Sequence, residues 1–408
     1  MPTDWGRPSL AGWGEPMGDL LFLAHRVPYP PDRGDKIRSY NILKHLAARH
    51  RVHLAAFAED EADVGAAQEL NNLVASCHIE RRARSRRIAA AIGLATGRAI
   101  SVAAFGSRGM SRFVDQVLAE QPIDRIYVFS GQMALYAPDD RPFVMDFVDM
   151  DSEKFAAYGA ASSGLMRWAW RREARHLFAF ERETARRAVI SLFVSEAEAA
   201  LFRERTGLPA ECVDTLENGI DLDRYRPLPH ARGVAPLIVF TGQMDYPPNI
   251  EAALGFARDV LPGVRDRHPG ARFAIVGRRP DPTLRALEGK NGVEVTGDVP
   301  DVRPWLTQAD VVVAPLRIAR GIQNKVLEAM AMARPVVASP QAFEGIDAEP
   351  GRDLIIAEGA VAEAEAVCGL LADPARAEAI GAAARARAEA RYAWEARLAP
   401  LDAMLEHI

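Results

Sequence analysis

The segment "LRIARGIQNKVLEAMAMARPVVAS", residues 316–339, gathers Arg320, Gly321, Gln323, Asn324 and Lys325 at the start of a helical pattern, with a lone acid, Glu328, one turn inside it. A helix that only buries an apolar stripe needs none of these polar groups. Free backbone N–H groups and the positive end of the helix dipole make such a mouth an anion site, and Arg320 and Lys325 add full charges beside it. A diphosphate has the matching chemistry. With Asn324 as the N-cap, Glu328 falls near the same mouth, where a carboxylate can accept two hydrogen bonds from a sugar diol. Val326, Leu327 and Met330 are then left for the core. The competing reading is structural: Glu328 complements the dipole and Lys325 is a solvated surface charge.

Two other stretches place glycine with cations or amides after short apolar runs. "TGQMDYPPN" at 241–249 follows "LIVF" and carries Gly242 and Gln243; "VGRRPD" at 276–281 follows "FAI" and carries Arg278 and Arg279, which otherwise form a solvated pair. Ligands of parallel α/β sheets bind beyond the carboxyl ends of strands, so these loops point to one site with the first. Near the start, "RVPYPPDRGDKIRSYN" sets Gly34 among Arg33, Asp35, Lys36 and Arg38. A glycine there permits close approach of backbone and ligand, unless the stretch is a plain Pro/Gly turn. "DFVDMDSEKF" brings Asp146, Asp149 and Asp151 to a strand end, with Asp149 the best placed to hold a hydroxyl group. Three acids raise the question of a metal, but no further ligand signal accompanies them, and the expectation is that none is bound.

These residues need strands and helices to position them. Apolar runs of strand length alternate with helical patterns, the signature of βαβ units. "DLLFLAH" (19–25), "RVHLAAFA" (51–58), "RIYVFS" (125–130), "FVMDFVD" (143–149) and "VISLFVS" (189–195) supply one half; "LIVFTG", "RFAIVG", "VEVTG", "VVVAPL" and "PVVAS" supply the other. The expected architecture is α/β, two consecutive open parallel sheets in two domains: a loose tail at 1–18, a first domain at 19–215 and a second at 216–390. The Pro/Gly- and charge-rich stretch 216–236 reads as a linker. The Ala/Arg/Glu-rich helix at 375–391 reads as a solvated surface helix, and the final helix, 391–408, with Tyr392, Trp394, Leu398, Leu401 and Leu405 at helical spacing, as one that returns to the first domain.

The totals agree. At 408 residues the chain exceeds one core and fits two domains. A net charge of −5 argues against a duplex nucleic-acid binder, and three cysteines far apart give neither a disulfide framework nor a zinc spacing, as in a cytoplasmic chain. The opening lacks an apolar signal region and no apolar run is long enough to span a bilayer. Two stretches, 80–100 and 165–187, cluster arginine with Trp168, Trp170, Phe178 and Phe180; they fit an anionic membrane surface such as the inner face of the cytoplasmic membrane, or an amphipathic helix buried on the first sheet.

"NKVLEAMAMARPVVAS" resembles the donor-binding helix of the retaining glycosyltransferases of family 4, which have the GT-B fold, two Rossmann-like domains facing a central cleft. "ENGIDLDRY", "GQMDYPPN", "TGDVPDVRPWLTQADVVVAPL" and "EGID" follow in the family's order, over roughly residues 19 to 400. With "PYPPDRGDKIRSYN" near the start, the chain resembles sugar transferases of bacterial exopolysaccharide gene clusters. The resemblance implies that Glu328 binds ribose hydroxyls of a nucleoside diphosphate sugar and Lys325 its phosphates. It also implies that Gly34, Gly242, Gln243, Arg278, Val299, Gly321, Ile322, Gln323 and Asn324 line the donor. Arg33, Asp35, Lys36 and Asp151 would lie on the acceptor side. Arg320 stands where most members carry a second glutamate, and Asp149 near where many carry a histidine; the expected catalytic set is Asp149, Arg320 and Lys325.

The function expected is metal-independent, cofactor-free hexosyl transfer with retention, from a nucleoside diphosphate sugar to a hydroxyl of a glycan or lipid-linked acceptor. A sugar-nucleotide epimerase of the same fold, or a non-catalytic nucleotide-sugar binder, are the alternatives.

Overall fold

The computed structural model describes residues 18–31, 33–82, 85–229, 233, 235–319 and 322–406. Arg320 and Gly321 lie outside the described residues, as does the expected tail up to residue 17. The chain divides into two compact units, one running to Asn218 and resuming at Arg397, the other Gly219–Ala396.

Unit 1 is built on seven parallel strands: β1 (Asp19–Ala24), β2 (Arg51–Ala58), β3 (Ser76–Arg81), β4 (Ile123–Phe129), β5 (Val144–Val148), β6 (Ile190–Phe193) and β7 (Val213–Thr215), in spatial order 3-2-1-4-5-6-7. Every residue of β1 is buried, as expected of a strand covered by helices on both faces. The edge strands β3 and β7 carry half-polar sequences, "SCHIER" and "VDT", and give no apolar run to read. Helices begin and end on local signals. Ser85 accepts a hydrogen bond from Ile88 N at the start of helix Arg86–Thr96, and Gly97 closes it in the left-handed conformation (φ 68°). Ser195 and Gly207 do the same for helix Glu196–Thr206.

Unit 2 holds six parallel strands: β8 (Leu237–Thr241), β9 (Arg272–Val276), β10 (Val293–Val295), β11 (Val311–Ala314), β12 (Val336–Ala338) and β13 (Ile355–Ile356), in spatial order 10-9-8-11-12-13. Each sheet reverses its winding beside its first strand, between β1 and β4 and between β8 and β11. Those reversal points are where open α/β sheets form ligand crevices.

Three expectations about this half need correction. The stretch 216–236 is not a free linker at its start: Ile220 N donates to Tyr392 O (2.6 Å), and Ile220 pairs with Ala393 as a β-bridge. The helix expected to be solvated, Pro374–Tyr392, buries Ala377, Ile380, Gly381, Ala384, Ala388 and Tyr392; small residues let it approach so closely that a Cβ on Gly381 would lie 2.3 Å from Ala333 O. The last helix starts at Trp394, after the Ala393 bridge, so the chain rejoins unit 1 only from Arg397; there Asp402 meets His45 at 2.8 Å and Leu405 O accepts from Arg125 at 3.1 Å.

Candidate functional site

In unit 2 two helix mouths open at the β8/β11 reversal. Helix Pro247–Gly255 follows the β8 loop and helix Asn324–Ala331 follows the β11 loop, and neither start has a side-chain cap. The N-cap of the second is Gln323, extended at φ −86° and ψ 100°, not Asn324 as expected; Asn324 is already helical and exposed. Lys325 spans the two mouths, donating from Nζ to Asn249 Oδ1 at 2.5 Å, while its ammonium sits 4.7 Å from the centre of the Phe240 ring. Asn249 is itself anchored, with Nδ2 donating to Gln243 O at 2.9 Å.

The glycines here make room for backbone. A Cβ on Gly277 would lie 1.7 Å from Gly242 O, and Gly277 has φ +157°. The β8 and β9 loops therefore run in direct contact, tied by Gly242 N to Val276 O (3.0 Å) and Met244 N to Arg278 O (2.9 Å). Gln243 and Arg278 are exposed beside that seam, Val299 is half-buried in the loop after β10, and Ile322 is half-buried before the Asn324 helix.

Val326, Leu327 and Met330 face the core, as the spacing requires. Glu328 faces the other way, and Oε1 accepts from Tyr225 Oη at 3.0 Å. Tyr225 and its neighbour Arg224 were not singled out in the sequence, although they stand in "ENGIDLDRY". The turn that presents them is fixed by Arg303, which donates to Arg224 O at 3.0 Å and is paired with Asp301 at 2.6 Å. Burial pushes the Glu328 carboxyl up to about 7, against the hydrogen bond from Tyr225 and the charges of Arg224 and Lys325. Burial likewise pushes the Lys325 ammonium down to about 8, against the attraction of Glu328. A lysine in the first turn of a helix also opposes the dipole. Both charges are held where the protein alone stabilises them poorly, the condition of groups awaiting a polar ligand.

In unit 1 the expected acids divide. Asp146 is wholly buried and ion-paired with Arg38 at 3.0 Å; it also accepts from Tyr127 Oη (2.8 Å) and from Val148 N (3.1 Å). It is a structural group. The next residue but one, Val148, takes φ +70°, a conformation that a β-branched side chain avoids, and turns the chain so that Asp149 emerges exposed at the strand end. Partial desolvation first, then the charges of Asp151 and Asp146, raise the Asp149 pKa against Lys154 and Arg38. Asp151 opens helix Asp151–Ala161 and accepts from Gln132 Nε2 and Lys154 Nζ, each at 3.2 Å.

Gly34 is the first residue of helix Gly34–Ala47, and a Cβ there would meet nothing within 4 Å among the described residues, so the space above it is open. Its neighbours are engaged internally. Lys36 does not face a ligand, because it is buried in an ion pair with Asp63 at 2.5 Å. Asp35 pairs with Arg26 and with Arg33 (3.0 Å), and lies 3.3 Å from His25 Nε2. Against the cost of its burial, the bonds from His25 and Arg26 hold Asp35 below the usual carboxylate range. His25, at the end of β1 and not anticipated from the sequence, has its pKa lowered chiefly by burial, against the bond to Asp35, and stacks 5.7 Å from Phe129. No cluster of three or more potential metal ligands occurs among the described residues.

A family model described as "Glycosyltransferase Family 4" matches residues 36–224, and one described as "Glycosyl transferases group 1" matches residues 235–373. The two matches together span most of the chain, and both models describe glycosyltransferases. Solved structures place these two Rossmann-like units in the GT-B fold. HepE of Anabaena, in complex with UDP and glucose, aligns at a TM-score of 0.62 and 15% identity over 96% of this chain and 100% of its own. Sucrose-phosphate synthase of Thermosynechococcus elongatus aligns at 0.62 and 17%, over 96% and 98%. WaaG, a glycosyltransferase involved in lipopolysaccharide biosynthesis, aligns at 0.59 and 16%, over 94% and 99%. No curated protein sequence matches. Among the described residues, no helix of this glycosyltransferase is long and apolar enough to cross a membrane.

Proposed function

We propose that this glycosyltransferase moves a hexosyl group, with retained configuration and without a metal, from a nucleoside diphosphate sugar to a hydroxyl of a lipid-linked or growing surface glycan such as an exopolysaccharide. The observation that carries the donor half of this reading is the Lys325/Glu328 pair at a helix mouth without a side-chain cap: a desolvated cation beside the backbone N–H groups of the helix start for the diphosphate, and a desolvated carboxylate one turn deeper for the ribose diol. Tyr225 holds Glu328 in place from one side, leaving its second oxygen for the ligand. As the bond to the anomeric carbon breaks, charge grows on the diphosphate, and Lys325, Arg320 and the helix N-terminus stabilise it. The acceptor hydroxyl attacks from the face the diphosphate leaves, with Asp149 positioning it.

HepE was solved with UDP-glucose, and UDP is therefore the first nucleotide to test. Thermal shift across a panel of nucleotide sugars identifies the donor, and proton NMR of the product's anomeric signal reads the configuration. Inversion at the anomeric carbon, or turnover of donor to a free epimer without acceptor, would replace this reading with another.

A further inference from the structure

We infer that unit 1 docks on an anionic bilayer surface through one patch, made by the outward stripe of helix Arg86–Thr96 and the tip of the hairpin formed by helices Asp151–Ala161 and Gly164–Arg187. The inference sharpens the lipid-linked part of the proposed acceptor and rests on that reading only where it speaks of Asp149.

Helix Arg86–Thr96 is properly started and stopped, yet its apolar side is not inside: Ile88 and Leu94 are 52% and 54% exposed, and Ala91 and Ala95 on the same side are exposed with them. The hairpin tip shows the same inversion. Leu165 is 77% exposed, Trp168 57%, Met166 52% and Tyr158 47%. These side chains are not outward for want of packing below. Phe155 stacks on Trp170 at 5.5 Å, and a Cβ on Gly159 would lie 3.1 Å from Arg171 Cγ, so the two helices are closely fitted. Of the aromatics that suggested a membrane face in the sequence, Trp168 alone is exposed; Trp170, Phe178 and Phe180 are partly buried.

The two apolar areas adjoin. Arg172, one turn from Trp168, donates to Gly93 O at 2.7 Å and to Arg98 O at 3.3 Å, which brings the end of the first helix beside the tip of the hairpin. The sequence around them is basic, although Arg81 and Arg82 pair with Glu61 and Glu59. Residues 81–114 hold eight arginines and no acid, and residues 162–172 hold Arg167, Arg171 and Arg172 and no acid, in a chain whose net charge is −5. Apolar side chains that enter a low-dielectric layer, flanked by the exposed Arg87, Arg98, Arg167 and Arg171 that can meet phosphates, fit a membrane of anionic lipid. Helix Asp151–Ala161 has 11 residues and spans roughly 16 Å. An acceptor hydroxyl held at Asp149 would thus work close above the lipid headgroups.

The test uses the full chain and vesicles of phosphatidylcholine, with and without phosphatidylglycerol, in flotation assays at low and high salt. Binding is expected only with phosphatidylglycerol, weakened by salt, and at least tenfold weaker in each of two variants, Leu165→Asp/Trp168→Asp and Ile88→Asp/Leu94→Asp. All four positions are exposed, so melting temperature and UDP binding should match the parent. Equal binding to both vesicle types, no binding at all, or undiminished binding by both variants would overturn the inference. So would a concentration-dependent dimer that the same variants abolish, which would assign the patch to a second copy. UDP titration in the same samples reads the donor site separately, so a failure of docking and a failure of the donor reading cannot be confused.

Discussion

Glu328→Gln is the most informative single change, because it should strengthen the fold while weakening the function. Burial raises the Glu328 carboxyl from 4.5 to about 7. A carboxyl whose folded-state pKa exceeds its unfolded value binds its proton more tightly when folded, so its ionisation destabilises the fold increasingly from pH 4.5 to 7 and fully above that. At 1.36 kcal/mol per pKa unit, and with allowance for partial solvent contact, the penalty at pH 8 is roughly 2 to 3 kcal/mol. Glutamine keeps an oxygen to accept from Tyr225 and carries no charge, so it should remove that penalty. For a domain of unit 2's size each kcal/mol is worth about 2–4 °C, so the variant's unit 2 should melt roughly 4–12 °C higher at pH 8, with the gain fading towards pH 5. The same change takes a charged acceptor from the ribose diol, a loss of about 1.5 kcal/mol or roughly tenfold in nucleotide affinity. Differential scanning calorimetry at pH 5 and 8, with UDP titrated by isothermal calorimetry, reads both effects. No gain in stability at pH 8 would refute the desolvation argument, and unchanged UDP affinity would return Glu328 to a structural role.

Lys325→Ala should weaken UDP binding and also lower turnover at saturating donor, since the ammonium matters most as the leaving diphosphate gains charge; a variant changed only in KM would contradict this. UDP affinity in the parent should peak between about pH 7 and 8, falling below as Glu328 protonates and above as Lys325 loses its charge, which titration across pH 6–9 will show. Transfer should persist in EDTA; loss of turnover restored by magnesium or manganese would overturn the metal-free mechanism. Asp146→Ala leaves Arg38 buried without its partner and should destabilise unit 1 by about 3–5 kcal/mol, visible in denaturant melts.

The central strands were legible because a parallel strand buried on both faces leaves an uninterrupted apolar run, as "DLLFLA" and "VVVA" do. Edge strands such as β3 are wet on one side, mix polar residues among apolar ones, and cannot be told from loops. Lys325 and Glu328, expected on the donor side, could be picked out because a cation and an acid in the first turns of a short helix conflict with the local rules of helix building. Tyr225 and Asn249 break no local rule; they matter only through contacts 103 and 76 residues away along the chain. The pairing of Lys36 with Asp63 was hidden for the same reason. Helix Pro374–Tyr392 misled through its composition, since alanine and glycine on one face serve a close helix contact as readily as they serve solvent.

The charges at the expected site positions are held differently within unit 1 and within unit 2, and that contrast separates support from chemistry. In unit 1, Arg38 meets Asp146, Lys36 meets Asp63, and Asp35 meets Arg26 and Arg33, so these charges have full counter-charges and their removal should destabilise the fold; Glu181, buried against Ser152 alone and pushed up to about 8, is an exception. Asp149, lifted clear by the positive φ of Val148, also stands at its strand end without an ion pair among the described residues, and strain of that kind persists where the surrounding structure enforces it. In unit 2, Lys325 has a neutral amide and a ring face, and Glu328 a neutral phenol. Each arrangement favours the charged form less than burial opposes it, so removing either charge should stabilise the free protein. A diphosphate at the helix mouth and a ribose diol beneath it would satisfy both groups together, which couples the two parts of one nucleotide in a single binding step.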